Sequence, residues 1–285
     1  MRDEQPGLRL VQSLEAVSSS LPARWIAVAV LAGAALACGR PTMVAPSSPA
    51  TVAVVDTGVS RIGPLAPVLD PGDRLTVIPD QGVDDVDGHG TRVAWLVHWR
   101  SPTTRLLSVK AIGKGGHVTD EDLAEAVRRA VERRARIVLL PMSGAAPLPR
   151  TRAAILEAGR DDVLVVVAAG NDGLDLDEHP AYPAAYAEAN MVVVIATDGS
   201  GRPLGTSNRN ASATACARAP GLRMATCEWD GRPATIGGTS AASALVAGRA
   251  AELLATRRLP VAQLRAALVA SGEETEAGPA RADCR

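Results

Sequence analysis

Phenylalanine is absent from this chain of 285 residues, and aromatic side chains make up only 2% of it. The core must therefore be built from Val, Ile, Leu and Ala, and platforms on which bases or sugars stack are excluded. Net charge is missing too. The 30 basic and 31 acidic side chains leave −1, which offers no overall footprint for nucleic acid or an anionic membrane. Four cysteines are too few for a disulfide scaffold, and their spacing matches no zinc finger. There is no internal repeat and no low-complexity tract. What remains is 47% hydrophobic and 21% charged. That composition excludes disorder, and the length suits one large α/β domain or two small ones.

The run from Trp25 to Cys38 (WIAVAVLAGAALAC) carries no charge. It is shorter than the ~20 apolar residues a bilayer span needs and fits the apolar core of a secretory signal. Its end, Ala35-Leu36-Ala37-Cys38-Gly39, resembles a bacterial lipobox, which implies acylation of Cys38. An uncleaved signal anchor and a buried N-terminal helix are the alternatives. The Pro- and Ser-rich stretch Arg40–Pro49 reads as a linker. The expected organisation is a signal or lipoprotein-like segment over 1–38, a linker over 39–50 and a folded domain over 51–285. Export to the cell envelope or beyond follows, with membrane contact only through the N-terminal segment.

Beyond the linker, apolar runs alternate with amphipathic stretches. Thr51–Val55, Leu106–Val109, Ile137–Leu140, Val163–Ala168 and Val192–Ala196 are continuously apolar or nearly so. Such runs predict strands covered on both faces, hence a parallel sheet between helix layers. Thr119–Arg134 predicts a helix. Thr119 and Asp122 form a capping-box-like start, and Leu123, Val127, Ala130 and Val131 share one face. Thr151–Ala158 is a shorter candidate. The expected fold is an α/β, doubly wound, mostly parallel sheet with helices on both faces. In such sheets the chemistry lies beyond the C-terminal strand ends.

Four blocks stand there. The first strand ends in Asp56-Thr57-Gly58. Asp87-Gly88-His89-Gly90-Thr91 opens a helix. Ala169-Gly170-Asn171-Asp172-Gly173 follows a buried strand. Gly237-Gly238-Thr239-Ser240 opens an Ala-rich helix that closes at Arg257, Arg258 and Pro260. Each has an ordinary reading by itself: a strand-end cap, a polar helix start, a turn and an N-cap. Together, in the order Asp…His…Ser with these gaps, they resemble the subtilisin-like serine peptidases. The resemblance runs from about Thr51 to Val269. Weaker matches support it at Lys110, Met142-Ser143, Tyr182-Pro183-Ala184, Ser207-Asn208 and Ala219-Pro220-Gly221.

The resemblance implies a serine endopeptidase acting on polypeptides as a monomer, through an acyl-enzyme intermediate. Ser240 is the nucleophile, His89 the general base and acid, and Asp56 the group that orients the imidazole. The Asn171 side chain and the Ser240 backbone N–H are the oxyanion donors. A peptide is expected to add as a strand along Ser143, Gly144 and Ala145. Ala168, Ala169 and Gly170 would wall the primary pocket, and Asp172 at its rim would favour a basic side chain. Cys216 and Cys227 flank the Ala219-Pro220-Gly221 stretch, and export would allow them to pair. No cofactor is expected. Family members use calcium, but Asp84, Asp85 and Asp87 with Gly88 lack a calcium loop's spacing and read as an acidic turn. His98 reads as helix surface, and His117 and His179 as loop residues.

The chain also departs from the family. Trp95 stands where Gly is usual, Ala241 and Ala244 replace Met and Pro, and Pro141 replaces an Asn before the substrate strand. The short stretch between Cys38 and Thr51 leaves no room for the inhibitory propeptide of many secreted relatives. Two other functions stay open. One is a subtilisin-like module that binds peptides without cleaving them. The other is an aspartic peptidase built on Asp56, which needs a second Asp-Thr/Ser-Gly loop or a dimer.

Overall fold

In the computed structural model, the described residues are 49–209, 216–271 and 278–285. The apolar run with Cys38, and the linker up to residue 48, lie outside them. Seven strands form one parallel sheet: β1 (Thr51–Asp56), β2 (Arg74–Thr76), β3 (Arg105–Lys110), β4 (Ile137–Leu140), β5 (Leu164–Ala168), β6 (Met191–Thr197) and β7 (Cys216–Pro220). Their order is β2-β3-β1-β4-β5-β6-β7. β2 and β3 thus lie on one side of β1, and β4 to β7 follow in turn on the other. That makes the C-terminal end of β1 the switch point at which such sheets open a crevice.

Strand residues alternate between two cores, as the period of two demands. Val52 and Val54, Ile137 and Leu139, and Val192 and Val194 enter one core. Their neighbours Ala53 and Val55, Val138 and Leu140, and Val193 and Ile195 enter the other. The first core is roofed by α1 (His89–Arg100), α4 (Gly238–Thr256) and α5 (Val261–Ala270). The second is roofed by α2 (Asp120–Glu132) and α3 (Pro149–Arg160). Two covered faces are why the central strands are apolar throughout.

Helix α2 begins where its capping signal lies. Thr119 Oγ1 accepts the Asp122 N–H at 3.1 Å, and three acids fill the first turn. Helix α3 starts two residues before the sequence suggests, because Pro149 supplies a first-turn proline whose missing N–H costs nothing there. A separate antiparallel hairpin, β8 (Met224–Cys227) and β9 (Pro233–Ile236), precedes α4.

The hairpin corrects the expected disulfide. Cys227 bonds to Cys284, not to Cys216, which stays a thiol. Cys216 packs against the core under α2 and α3, whereas Cys227 and Cys284 belong to the core under α1 and α4. The sheet separates them, and burial pushes the Cys216 thiol up to about 11. His98 also differs from expectation. Its Nδ1 is buried on α1 without a partner among the described residues, and burial lowers its pKa. His117 and His179 lie exposed in loops. Among the described residues no helix is long and apolar enough to cross a membrane.

Candidate active site

Asp56 is the last residue of β1, fully buried at the switch point. Its carboxylate oxygens lie 2.9 and 2.8 Å from His89 Nδ1, and Oδ1 also accepts the Thr57 N–H at 2.7 Å. Both oxygens are therefore engaged, by the imidazole and by the backbone. The negative charge of Asp56 is the largest influence on His89 and raises its pKa above 6.5 despite the opposing effect of burial. His89 Nε2 has no partner among the described residues.

The placement of His89 rests on a buried acid. Asp85 is 1% exposed and accepts five hydrogen bonds: from Thr57 Oγ1, from the N–H groups of Asp87, Gly88 and Thr91, and from Thr91 Oγ1. A buried carboxylate is tolerable only when satisfied in this way. Asp85 ties the start of α1 to the end of β1, so the imidazole is carried on a fixed helix terminus. Asp84 pairs with Arg74, and Asp87 accepts the His89 N–H. Among the described residues no three His, Cys, Asp or Glu side chains cluster to hold a metal.

Ser240 is the third residue of α4. Its backbone N–H is one of the first four in the helix, which have no intrahelical acceptor and carry partial positive charge. Its hydroxyl donates to the Pro141 carbonyl at 2.9 Å. Asn171 stands on the loop after β5. Its Oδ1 accepts the Thr239 N–H at 2.9 Å and Thr239 Oγ1 at 3.2 Å. Its amide N–H groups have no partner among the described residues. Gly238 must be glycine here, since its φ is +71° and a Cβ would lie 2.6 Å from Asn171 Oδ1.

Asn208 clamps the same loop. It is fully buried, donates to the Ala169 carbonyl, and accepts the Asp172 and Leu174 N–H groups. Gly170, at φ +107°, lies so close to its amide that a Cβ would collide. Sequence patterning assigns Asp85 to an acidic turn and Asn208 to a supporting stretch; the structure makes them the anchors of the two loops bearing His89 and Asn171. An Asp two residues before an Asp-Gly-His helix start is the signal available for the first. For Asn208 there is no local signal.

His89, Asn171 and Ser240 line one open cleft of about 420 Å³, with Ala168 and Asp172. Ala169 and Gly170 are buried beside it. Ser143 lines the cleft and also the hollow holding Gly144 and Ala145. The Gly144 N–H and C=O are both taken by Tyr182, at 2.9 and 2.7 Å.

The subtilase family profile matches residues 47–283. The intracellular serine protease of Paenibacillus polymyxa is 29% identical over 212 residues, 69% of this chain and 64% of that protein. The major intracellular serine protease of Bacillus subtilis (strain 168) is 30% identical over 213 residues, 69% of this chain and 66% of that one. The chain thus spans slightly under two thirds of these relatives' length. Among solved structures, a cold adapted subtilisin-like serine proteinase superposes with a TM-score of 0.68 at 23% identity, over 82% of this chain and 87% of that one.

Proposed function

This chain belongs to the subtilase family, and from that premise we propose that it is a serine endopeptidase using Asp56, His89 and Ser240. The observation that carries this is the two-oxygen grip of Asp56 on His89 Nδ1, with Nε2 left unpartnered in the cleft that also holds Ser240 and Asn171. The Ser240 hydroxyl turns from the Pro141 carbonyl to His89 Nε2, which takes its proton as Oγ attacks the scissile carbonyl. Asp56 holds the tautomer and stabilises the imidazolium. The oxyanion forms between the Asn171 amide and the Ser240 N–H. His89 then protonates the leaving amine, and water releases the acyl group by the same proton path.

The experiment is labelling with a fluorophosphonate, which requires an activated serine. Labelling at Ser240, and none in Ser240→Ala, supports the proposal. An unlabelled, folded protein rejects it in favour of a peptide-binding module, the reading favoured by the hydroxyl resting on Pro141 rather than on the imidazole. The Asp172 carboxylate, exposed at the cleft, supports preference for Arg or Lys before the scissile bond. A peptide library should show that preference in kcat/KM, and Asp172→Asn should erase it. The apolar run ending at Cys38 supports export before the peptidase acts.

A further inference from the structure

The near-neutral net charge conceals a segregation. At the N-terminal ends of the strands, opposite the catalytic cleft, lies a hollow of about 380 Å³ lined by Arg105, Arg133, Arg134, Arg136, Arg257 and Arg258, with Asp73 as its one acid. Arg105 pairs with Asp70 and Asp73, Arg133 with Asp73, and Arg136 with Asp162. Arg134, Arg257 and Arg258 are exposed and have no acidic partner among the described residues. Among the described residues, six guanidinium groups against three acids leave an uncompensated positive face. Arg134 holds a left-handed φ of 59°, at the helix-end position where glycine is the common choice.

Two elements run from this face to the chemistry. β1 begins at Thr51, on the hollow, and ends at Asp56, about 17 Å away for six residues. α4 carries Ser240 in its first turn and is followed by Arg257, about 26 Å further along the helix axis. The basic face and the cleft are therefore at opposite ends of the sheet. The chain also enters the described body here, because Pro49 and Ala50 line the hollow.

We infer that this arginine face docks on the anionic phospholipid surface of the bilayer that receives the N-terminal segment. Guanidinium groups pair bidentately with phosphate, and three unpaired ones supply the charge complementarity. An extended link from Cys38 to Pro49 reaches at most about 40 Å, so an anchor at Cys38 keeps the face near the headgroups. Docking by this end turns the cleft outward, toward polypeptides in solution. The inference does not rest on the peptidase proposal, because vesicle binding is scored whether or not the chain cleaves peptides.

The test is flotation of the full-length chain with vesicles of phosphatidylcholine alone and of phosphatidylcholine mixed with phosphatidylglycerol. The apolar run contributes equally to both, so the readout is the ratio. We expect clear preference for the anionic vesicles. The triple variant Arg134→Gln, Arg257→Gln, Arg258→Gln should lose that preference by roughly a hundredfold. Its thermal midpoint and peptide hydrolysis should stay unchanged, since all three side chains are exposed. Arg202→Gln, beyond the opposite end of β6, should keep the preference. Equal partition of the wild type into both vesicles, or an undiminished preference in the triple variant, overturns the inference. So does abolition of anionic-vesicle binding by inorganic phosphate or a short oligonucleotide, which would mark a site for free polyanions.

Discussion

At the scale of single residues, the same ion pair pulls activity and stability in opposite directions with pH. Asp56 raises the pKa of His89 in the folded protein, so the imidazolium is favoured there over the unfolded chain. The pair's contribution to stability is fully present below about 6.5, the ordinary imidazole value, and is lost as pH rises through the higher folded value. A base must be neutral, so kcat/KM should rise over that same interval, with its acid-side midpoint above 6.5. A pH profile of kcat/KM and thermal midpoints across the range check both signs. An acid limb centred below 6.5 would contradict the Asp56–His89 coupling. The second prediction concerns Asn171, which spends its carbonyl oxygen on Thr239 and has only its amide to offer. Asn171→Ala should lower kcat by ~10²–10³ with little change in KM, the loss measured when a member of this family lost its own oxyanion donor. A matching rise in KM instead would place Asn171 in ground-state binding.

At the scale of elements, what could be read from the sequence depended on burial. β1 and β3 to β6 announce themselves because both faces are covered and their middles are apolar or nearly so. β2 is only three half-buried residues, Arg-Leu-Thr, and exists because β3 offers it an edge. β7, at the other edge, alternates and contains Pro220, which edge strands tolerate. β8 and β9 depend on each other and carry no local pattern strong enough to predict either. The four residues proposed for catalysis sit in short motifs legible in the sequence, whereas Asn208 reaches back 36 residues to the Asp172 N–H and its anchoring role leaves no local trace. The departures on α1 and α4 resolve as packing. Trp95 is 5% exposed in the core that also takes Ala241 and Ala244, and α1 packs directly on α4. A larger residue on one helix and smaller ones on the other is the kind of exchange a close-packed core permits. Trp95→Ala should therefore cost ~3–5 kcal/mol. Trp95→Gly, which restores the family's usual residue, should cost about 1 kcal/mol more through lost helix propensity. Urea unfolding of the three proteins checks the order. A glycine variant as stable as the wild type would show that Trp95 fills no space of its own.

At the scale of the whole molecule, the parallel sheet gives the protein two unlike ends, and the tail is fastened near the catalytic one. Residues 278–285 lie along the β8–β9 hairpin. The Ala225 N–H donates to the Pro279 carbonyl at 2.9 Å, Gly278 abuts Met224, and Cys284 packs beside Gly63 while bonded to Cys227. The next residue, Glu228, pairs with Arg92 of α1 at 2.7 Å, one turn beyond His89. The disulfide thus closes a loop that includes β9 and all of α4 and α5, with Ser240. For a sequence separation of 57 residues, the chain-entropy account assigns this closure about 4 kcal/mol. Cys284→Ser, or reduction of the wild type, should lower unfolding stability by roughly that amount or somewhat less. The kcat of the folded fraction should be unchanged, because Asp56, His89, Asn171 and Ser240 take none of their hydrogen bonds from the tail. Cys216→Ser serves as the control, since that thiol is bonded to nothing. If Cys284→Ser unfolds at the wild-type denaturant midpoint, the tail is held by its strand-like pairing and packing alone. If stability is retained but kcat falls, the tail's hold on the hairpin is transmitted through Glu228 and Arg92 to the imidazole, and the two ends of this loop are one mechanical unit.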